Sequence, residues 1–150
     1  MISTKFKKVS LALGFNHKEI PEYWHTKKLL EIIDVVRGGS PRPAGDPKYF
    51  GGPINWITVA SLTKDKKMYL DSVKHSLTEE GKQNSRFIEK GTLLLANSGA
   101  TLGVPKITNI SGCINDGIAA FLNPNPSLSI EFLYHILSSW ITLLRNINQG

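Results

Sequence analysis

The sequence predicts an α/β class, mixed α+β fold: a single compact domain with a mixed, twisted β-sheet, long Gly/Pro-rich loops and a C-terminal helical layer. Three observations carry this expectation. Short β-branched or apolar runs at 55–61, 92–96, 104–108 and 117–122 are each flanked by Gly, Pro or Asn, the pattern of sheet strands. The stretch 130–147 instead spaces Phe132, Leu133, Ile136, Leu137, Trp140, Ile141 and Leu144 three and four residues apart, as an amphipathic helix does. A chain of 150 residues, 41% hydrophobic, can bury roughly 70% of its extended surface, enough for a core without disulfides or structural metal.

Taken in chain order, residues 1–19 form a basic leader whose few apolar residues are grouped rather than periodic. Residues 29–36 bring Leu29, Leu30, Ile32, Ile33, Val35 and Val36 together before Gly38 and Gly39; a short helix stopped by glycine is favoured, with a β-branched strand as the rival. Residues 38–53 hold five glycines and four prolines, a density that suppresses helix and ladder alike, so a long shaped loop is expected. Residues 55–61 alternate Trp56, Thr58 and Ala60 with Ile57, Val59 and Ser61, a strand. Ser76 stands three residues before Glu79, a capping-box spacing that opens a short helix to about Asn84. The run Thr92 to Ala96 is continuously apolar after its first residue and reads as a strand covered on both faces. Two more strands, a turn at 123–126 and the final helix complete the reading.

Composition narrows function. Eighteen Lys and Arg against twelve Asp and Glu give a net charge of +6, and the whole excess lies within the first ninety residues. Clustered cations of this kind suit a polyanion, because they release its condensed counterions. The single Cys113 excludes a disulfide scaffold and a cysteine-rich zinc site, and fits a reducing cytoplasm. The apolar 128–147 stretch contains Glu131, His135 and Arg145, so it reads as a buried helix rather than a membrane span, and the start lacks a secretory signal pattern. A soluble, cytoplasmic protein with no membrane partner is expected.

Catalytic templates fit poorly. Asp71, Glu80 and Lys82 resemble the metal-binding acids and lysine of a nuclease, yet Glu79, Glu80 and Lys82 are equally explained by a capped, solvated helix. His17, His25, His75 and His135 are scattered and lack the spacing of a zinc site; His135 is expected at an interior or boundary position. No catalytic residues and no metal ligands are assigned. Two glycine-punctuated loops stand out instead. The first carries Ser40, Arg42, Lys48 and Tyr49, a guanidinium and a phenol on a proline-stiffened frame able to meet base edges or phosphates. The second offers Asn97, Ser98 and Thr101 with backbone N–H groups at glycine, suited to phosphate. Lys64, Lys66 and Lys67 add a basic tip, and Lys106 a further cation. Arg42 is the candidate for base contact and the lysines for phosphate, whereas Tyr49 and Trp56 stand open between core and surface.

Taken in order, these segments resemble the target recognition domain of type I restriction-modification specificity (S) subunits. The resemblance runs through Ile20-Pro21-Glu22-Tyr23-Trp24 with Lys28 to Ile32, Arg37-Gly38-Gly39-Ser40-Pro41-Arg42, and Tyr49-Phe50-Gly51-Gly52-Pro53-Ile54-Asn55-Trp56-Ile57. It continues through Thr78-Glu79-Glu80-Gly81, Gly91 to Gly103, Asn115-Asp116-Gly117-Ile118 and Ile147-Asn148-Gln149-Gly150. It implies a non-catalytic, sequence-specific reader of one half of a bipartite duplex DNA target, occupying 20–150 and truncated before the family's spacer helix. It implies further that methyltransferase (M) and restriction (R) subunits are the partners, and that S-adenosylmethionine, Mg and ATP belong to those subunits, with no cofactor in this chain. A metal-dependent nuclease using Asp71, Glu80 and Lys82, or an interaction module that only docks on the methyltransferase, are the rival readings.

Overall fold

The computed structural model of the protein describes residues 3–11 and 16–147. Contacts divide the chain into two units, Met1–Ile32 and Ile33–Gly150. In the first, β1 (Phe6–Leu11) and β2 (Asn16–Pro21) pair antiparallel, with Lys8 opposite Glu19, and a 3-10 turn spans Leu29–Glu31. Within the expected leader, 1–19, the described residues form β1 and most of β2, a ribbon held by backbone pairing without an apolar period; residues 1–2 and 12–15 of that expectation lie outside the described residues.

The second unit carries the remaining strands in two mixed sheets. β3 (Asp34–Arg37) follows the turn, so the 29–36 segment divides into a 3-10 turn and a strand rather than one helix. β4 (Phe50–Ile57) begins inside the expected loop: its register shifts between Phe50 and Ile54, and this irregularity accommodates Gly51, Gly52 and Pro53 within a strand. Beyond Ile57 the expected strand gives way to helix α1 (Val59–Thr63), because the Thr58 N–H donates to Ser61 Oγ at 3.3 Å across the first turn. β5 (Tyr69–Leu70) and β6 (His75–Leu77) precede helix α2 (Glu79–Gln83). Its cap is Thr78, whose Oγ1 accepts from the Gly81 N–H at 3.0 Å, and Ser76 lies in β6 instead. β7 (Arg86–Ile88), β8 (Leu93–Ala96), β9 (Pro105–Thr108), β10 (Gly112–Ile114) and β11 (Ile118–Leu122) follow. The helical C-terminal stretch breaks at Trp140 into α3 (Ile130–Ser139) and α4 (Ile141–Ile147).

One sheet has the order β6-β4-β10-β7, with β4 and β10 parallel; the other has the order β3-β11-β8-β9-β5, with β9 and β5 parallel. β10 and β11 are consecutive strands and each is internal to its sheet. The main core combines Ile57, Ile88 and Ile114 from the first sheet with Leu70, Leu94, Ala96, Ile118 and Ala120 from the second, and Leu62 from α1. Residue alternation gives the first sheet a second apolar face, on which Trp56, Cys113 and Leu77 pack with Phe50, Ile54 and Phe87. Trp56 is therefore core, and burial pushes the Cys113 thiol pKa upward. β8 lies between β11 and β9, and Leu93 on one face and Leu94 and Ala96 on the other are fully buried, as its apolar run predicts. Each fully buried Leu or Ile here contributes about 1.5–3 kcal/mol. Helix α3 packs on β9 through a face that includes buried Leu133 and Leu137, while His135 is exposed rather than interior. No helix among the described residues is long and apolar enough to cross a membrane.

Candidate nucleic-acid interface

Asp116, in the turn between β10 and β11, joins segments that lie far apart in sequence. Ser40 Oγ donates to its Oδ1 at 2.7 Å, and the Asp116 N–H donates back to Ser40 Oγ at 3.3 Å. The Asp116 carbonyl accepts from Arg37 Nε at 2.7 Å and from Asn97 Nδ2 at 3.3 Å. Arg42 Nη2 stands 3.8 Å from Oδ2 with 72% of its side chain exposed. Three of the motif segments, Arg37 to Arg42, Asn97 onward and Asn115 to Gly117, thus meet at one residue. The Ser40 hydroxyl holds the Asp116 carboxyl below its ordinary pKa, aided by Arg42 and Arg37 against a smaller burial effect.

Local covalent structure explains why these residues reach this place. Pro41 is fully buried, so it anchors the loop while the following Arg42 turns to solvent. Gly38 lies against the β10 end so closely that a Cβ there would sit 2.1 Å from the Asn115 carbonyl oxygen. Asn97 is tied by its own N–H to the Gly117 carbonyl at 2.9 Å. Ser98 then opens a 3-10 turn, Gly99–Thr101, in which Thr101 Oγ1 donates to the Ser98 carbonyl at 3.1 Å. Ser98 is exposed; Asn97 and Thr101 are half-buried.

Lys48 and Tyr49 occupy a second meeting point. Thr78 Oγ1 donates to the Lys48 carbonyl at 2.7 Å and the Thr78 N–H to the Tyr49 carbonyl at 2.9 Å, so the cap of α2 also clamps the loop. Lys48 Nζ lies 3.0 Å from Glu80 Oε1 and 5.3 Å from the centroid of the half-buried Tyr49 ring. Its hydrogen bond and charge pairing with Glu80 raise the Lys48 pKa. At this exposure the pair is worth little to stability.

The basic tip is shaped from beneath. Lys64, Lys66 and Lys67 are exposed, and Lys64 Nζ donates to the Ser72 carbonyl at 2.8 Å. Lys106 departs from the expected phosphate role: it is 1% exposed, and its ammonium is taken by Asp65 Oδ1 at 2.5 Å, the Asp65 carbonyl at 3.2 Å and the Lys67 carbonyl. Three donors meeting three acceptors are what a buried ammonium requires. Lys106 therefore supports the tip from inside, and its hydrogen bond holds the Asp65 carboxyl below its ordinary pKa.

The nuclease constellation is not assembled. Asp71, at the end of β5 in one sheet, accepts from Asn109 Nδ2 at 2.6 Å; Glu80, on a helix beside the other sheet, pairs with Lys48; Lys82 Nζ lies 4.3 Å from the Phe87 ring centroid. No group of three or more His, Cys, Asp or Glu among the described residues could hold a metal ion. The sequence places Asp116 within a motif without revealing its role. It places Arg37 within a motif likewise, and gives no sign of a role for Arg86, whose Nε donates to the Arg37 carbonyl at 2.8 Å. Only proximity in space marks these residues, although an Asn-Asp-Gly turn ahead of a strand is a local sign.

The sequence profile of the type I restriction modification DNA specificity domain matches residues 21–150. The specificity subunit of the type I restriction enzyme MjaIX from Methanocaldococcus jannaschii is 29% identical over 138 residues, 91% of this chain and 30% of that protein. Among solved structures, a chain from work on complex assembly and conformational transition of the type I R-M system superposes with a TM-score of 0.67 at 20% identity, covering 89% of this chain and 31% of that one. The HsdS subunit from Thermoanaerobacter tengcongensis superposes with a TM-score of 0.65 at 20% identity, covering 83% and 29%. The chain thus spans about a third of the length of the relatives it matches. With the profile matched across most of its length and the same fold in both solved relatives, the chain belongs to the type I restriction modification DNA specificity domain family.

Proposed function

We propose that the domain reads one half of a bipartite duplex DNA target and, within a longer specificity subunit, directs methyltransferase and restriction subunits to it. The observation that carries the reading is the Asp116 junction, where an exposed Arg42 is held beside the 97–101 turn on a frame of buried strands. An arginine so placed can pair bidentately with guanine in the major groove. Lys48, Lys64, Lys66 and Lys67 are the proposed cations for the phosphates, which fix register without carrying sequence. Ser40, Asn97, Ser98, Thr101 and Tyr49 shape the two loops or complete the polar contacts. The cofactors S-adenosylmethionine, Mg and ATP belong in this reading to the partner subunits, and the free Cys113 suits a cytoplasmic setting.

Selection of bound sequences from a random duplex pool tests the proposal. Wild type should enrich one short half-site. Arg42→Ala should relax one base pair of it by about 1–3 kcal/mol, whereas Lys66→Ala should weaken all sequences alike. Equal losses on specific and random duplex for Arg42→Ala would remove Arg42 from base contact, and no enrichment by wild type would refute half-site reading.

A further inference from the structure

A cleft of about 240 Å³ opens beside α1, lined by Thr58, Ser61, Lys64, Ser72, Lys74 and His75. Its polar groups are one-sided: two lysines, a histidine and three hydroxyls stand beside Ala60 and Val73, with no carboxylate in the lining. The acids nearest in sequence are otherwise engaged, Asp65 by Lys106 and Asp71 by Asn109. Lys64 Nζ is steadied by the Ser72 carbonyl at 2.8 Å, and one such bond leaves two of the three ammonium hydrogens for a ligand. Lys74 and His75 are exposed and make no side-chain hydrogen bond or ion pair among the described residues. At about 30 Å³ per water, the cleft admits a tetrahedral phosphate group together with some of its hydration. Lys66 and Lys67 stand exposed on the same short segment as Lys64, so positive charge continues beyond the cleft along the loop.

We infer that this cleft seats a phosphodiester group of duplex DNA, through Lys64, Lys74 and His75 with the Ser61 and Ser72 hydroxyls. The inference rests on the DNA-reading role proposed above and adds a backbone contact that involves neither the Asp116 junction nor the glycine loops. Such a contact fixes where the duplex lies and contributes the same affinity on every sequence.

The test measures duplex affinity of the 150-residue chain by fluorescence anisotropy across a salt series, for wild type, Lys64→Gln/Lys74→Gln and Lys74→Gln/His75→Gln. All three side chains are exposed, and circular dichroism and melting midpoints verify that the variants fold. Each double variant should bind more weakly, by the same factor on specific and random duplexes. The slope of log K against log salt should become shallower by about 0.9 for each phosphate no longer neutralised. Wild-type slope and affinity in both variants would overturn the inference and leave the DNA-reading role standing. Failure of wild type to bind any duplex at low salt would overturn both. A second arm titrates inorganic phosphate alone while amide signals near Lys64, Lys74 and His75 are followed by NMR. Shifts there that duplex displaces support a shared phosphodiester seat; shifts that duplex leaves untouched assign the cleft to free phosphate and overturn it.

Discussion

Substituting Gly81 by Ala should destabilise the domain, although the same change inside an exposed helix ordinarily stabilises by about 1 kcal/mol. Gly81 lies in α2, and a Cβ built on it would stand 2.1 Å from the Tyr49 carbonyl oxygen and 3.1 Å from Leu77 Cβ. Ordinary contact needs about 1 Å more separation, and the obstructing atom is backbone, which cannot rotate away. Opening that gap also stretches the two bonds from Thr78 to the Lys48 and Tyr49 carbonyls, each worth about 1 kcal/mol. With an overpacking cost of about 1–3 kcal/mol and the helix-propensity gain set against it, the net loss should be about 2–3 kcal/mol. This corresponds to a fall in melting temperature of roughly 5–10 °C for a chain of this size. Urea unfolding followed by the fluorescence of buried Trp56 measures it, and hydrogen exchange should quicken at the Tyr49 and Thr78 amides. Gln83→Ala, exposed on the same helix, should stay within about 0.5 kcal/mol of wild type. A Gly81→Ala protein as stable as wild type would refute the close approach.

Three further outcomes follow from the buried supports. Lys106→Met keeps the apolar stem but removes the ammonium, so urea unfolding should show a loss of about 2 kcal/mol; duplex affinity should drop without a change in sequence preference as the 64–67 tip loosens. Asp65 and Asp116 both have folded pKa values depressed below the unfolded ones, so their contribution is present above the ordinary carboxylate range and is lost as pH falls through the folded values. Melting midpoints should accordingly decline below about pH 4, and this acid-side decline should be shallower in Asp116→Asn, which has no such proton to take up. Ser40→Ala should leave the fold in place by circular dichroism yet diminish the sequence preference assigned to Arg42, since the Asp116 carboxyl then lacks its hydrogen bond from Ser40.

Local pattern makes some of this legible and misses the rest for identifiable reasons. The 93–96 strand, the 105–108 and 118–122 strands and the final helices announce themselves because continuous burial or a helical period needs several adjacent residues to agree. β5, β6, β7 and β10 are two or three residues long, too short for any period to register, and are held by partners distant in sequence. The residues 58–61 read as a strand continued from Trp56, but a Thr58–Ser61 hydrogen bond tips them into a helix. Lys106 reads as a surface cation because nothing local reveals that β9 is buried and that Asp65 waits above it. The loops can be singled out from glycine and proline alone, whereas the Asp116 junction exists only once both sheets are formed.

The placement of β10 and β11 carries a consequence for how the molecule comes into being. Made one after the other, each inserts between strands that precede it in the chain, β10 between β4 and β7 and β11 between β3 and β8. Until they emerge, both sheets have a gap at an internal position, and the nascent chain holds four unfinished edges, on β4, β7, β3 and β8. Closing such long-range pairings is slow compared with local helix formation. The turn that links the two strands is the one bearing Asp116, so closure of the two sheets and assembly of the Asp116 junction are a single event. A chain ending before residue 114 should therefore lack both completed sheets and the Asp116 junction.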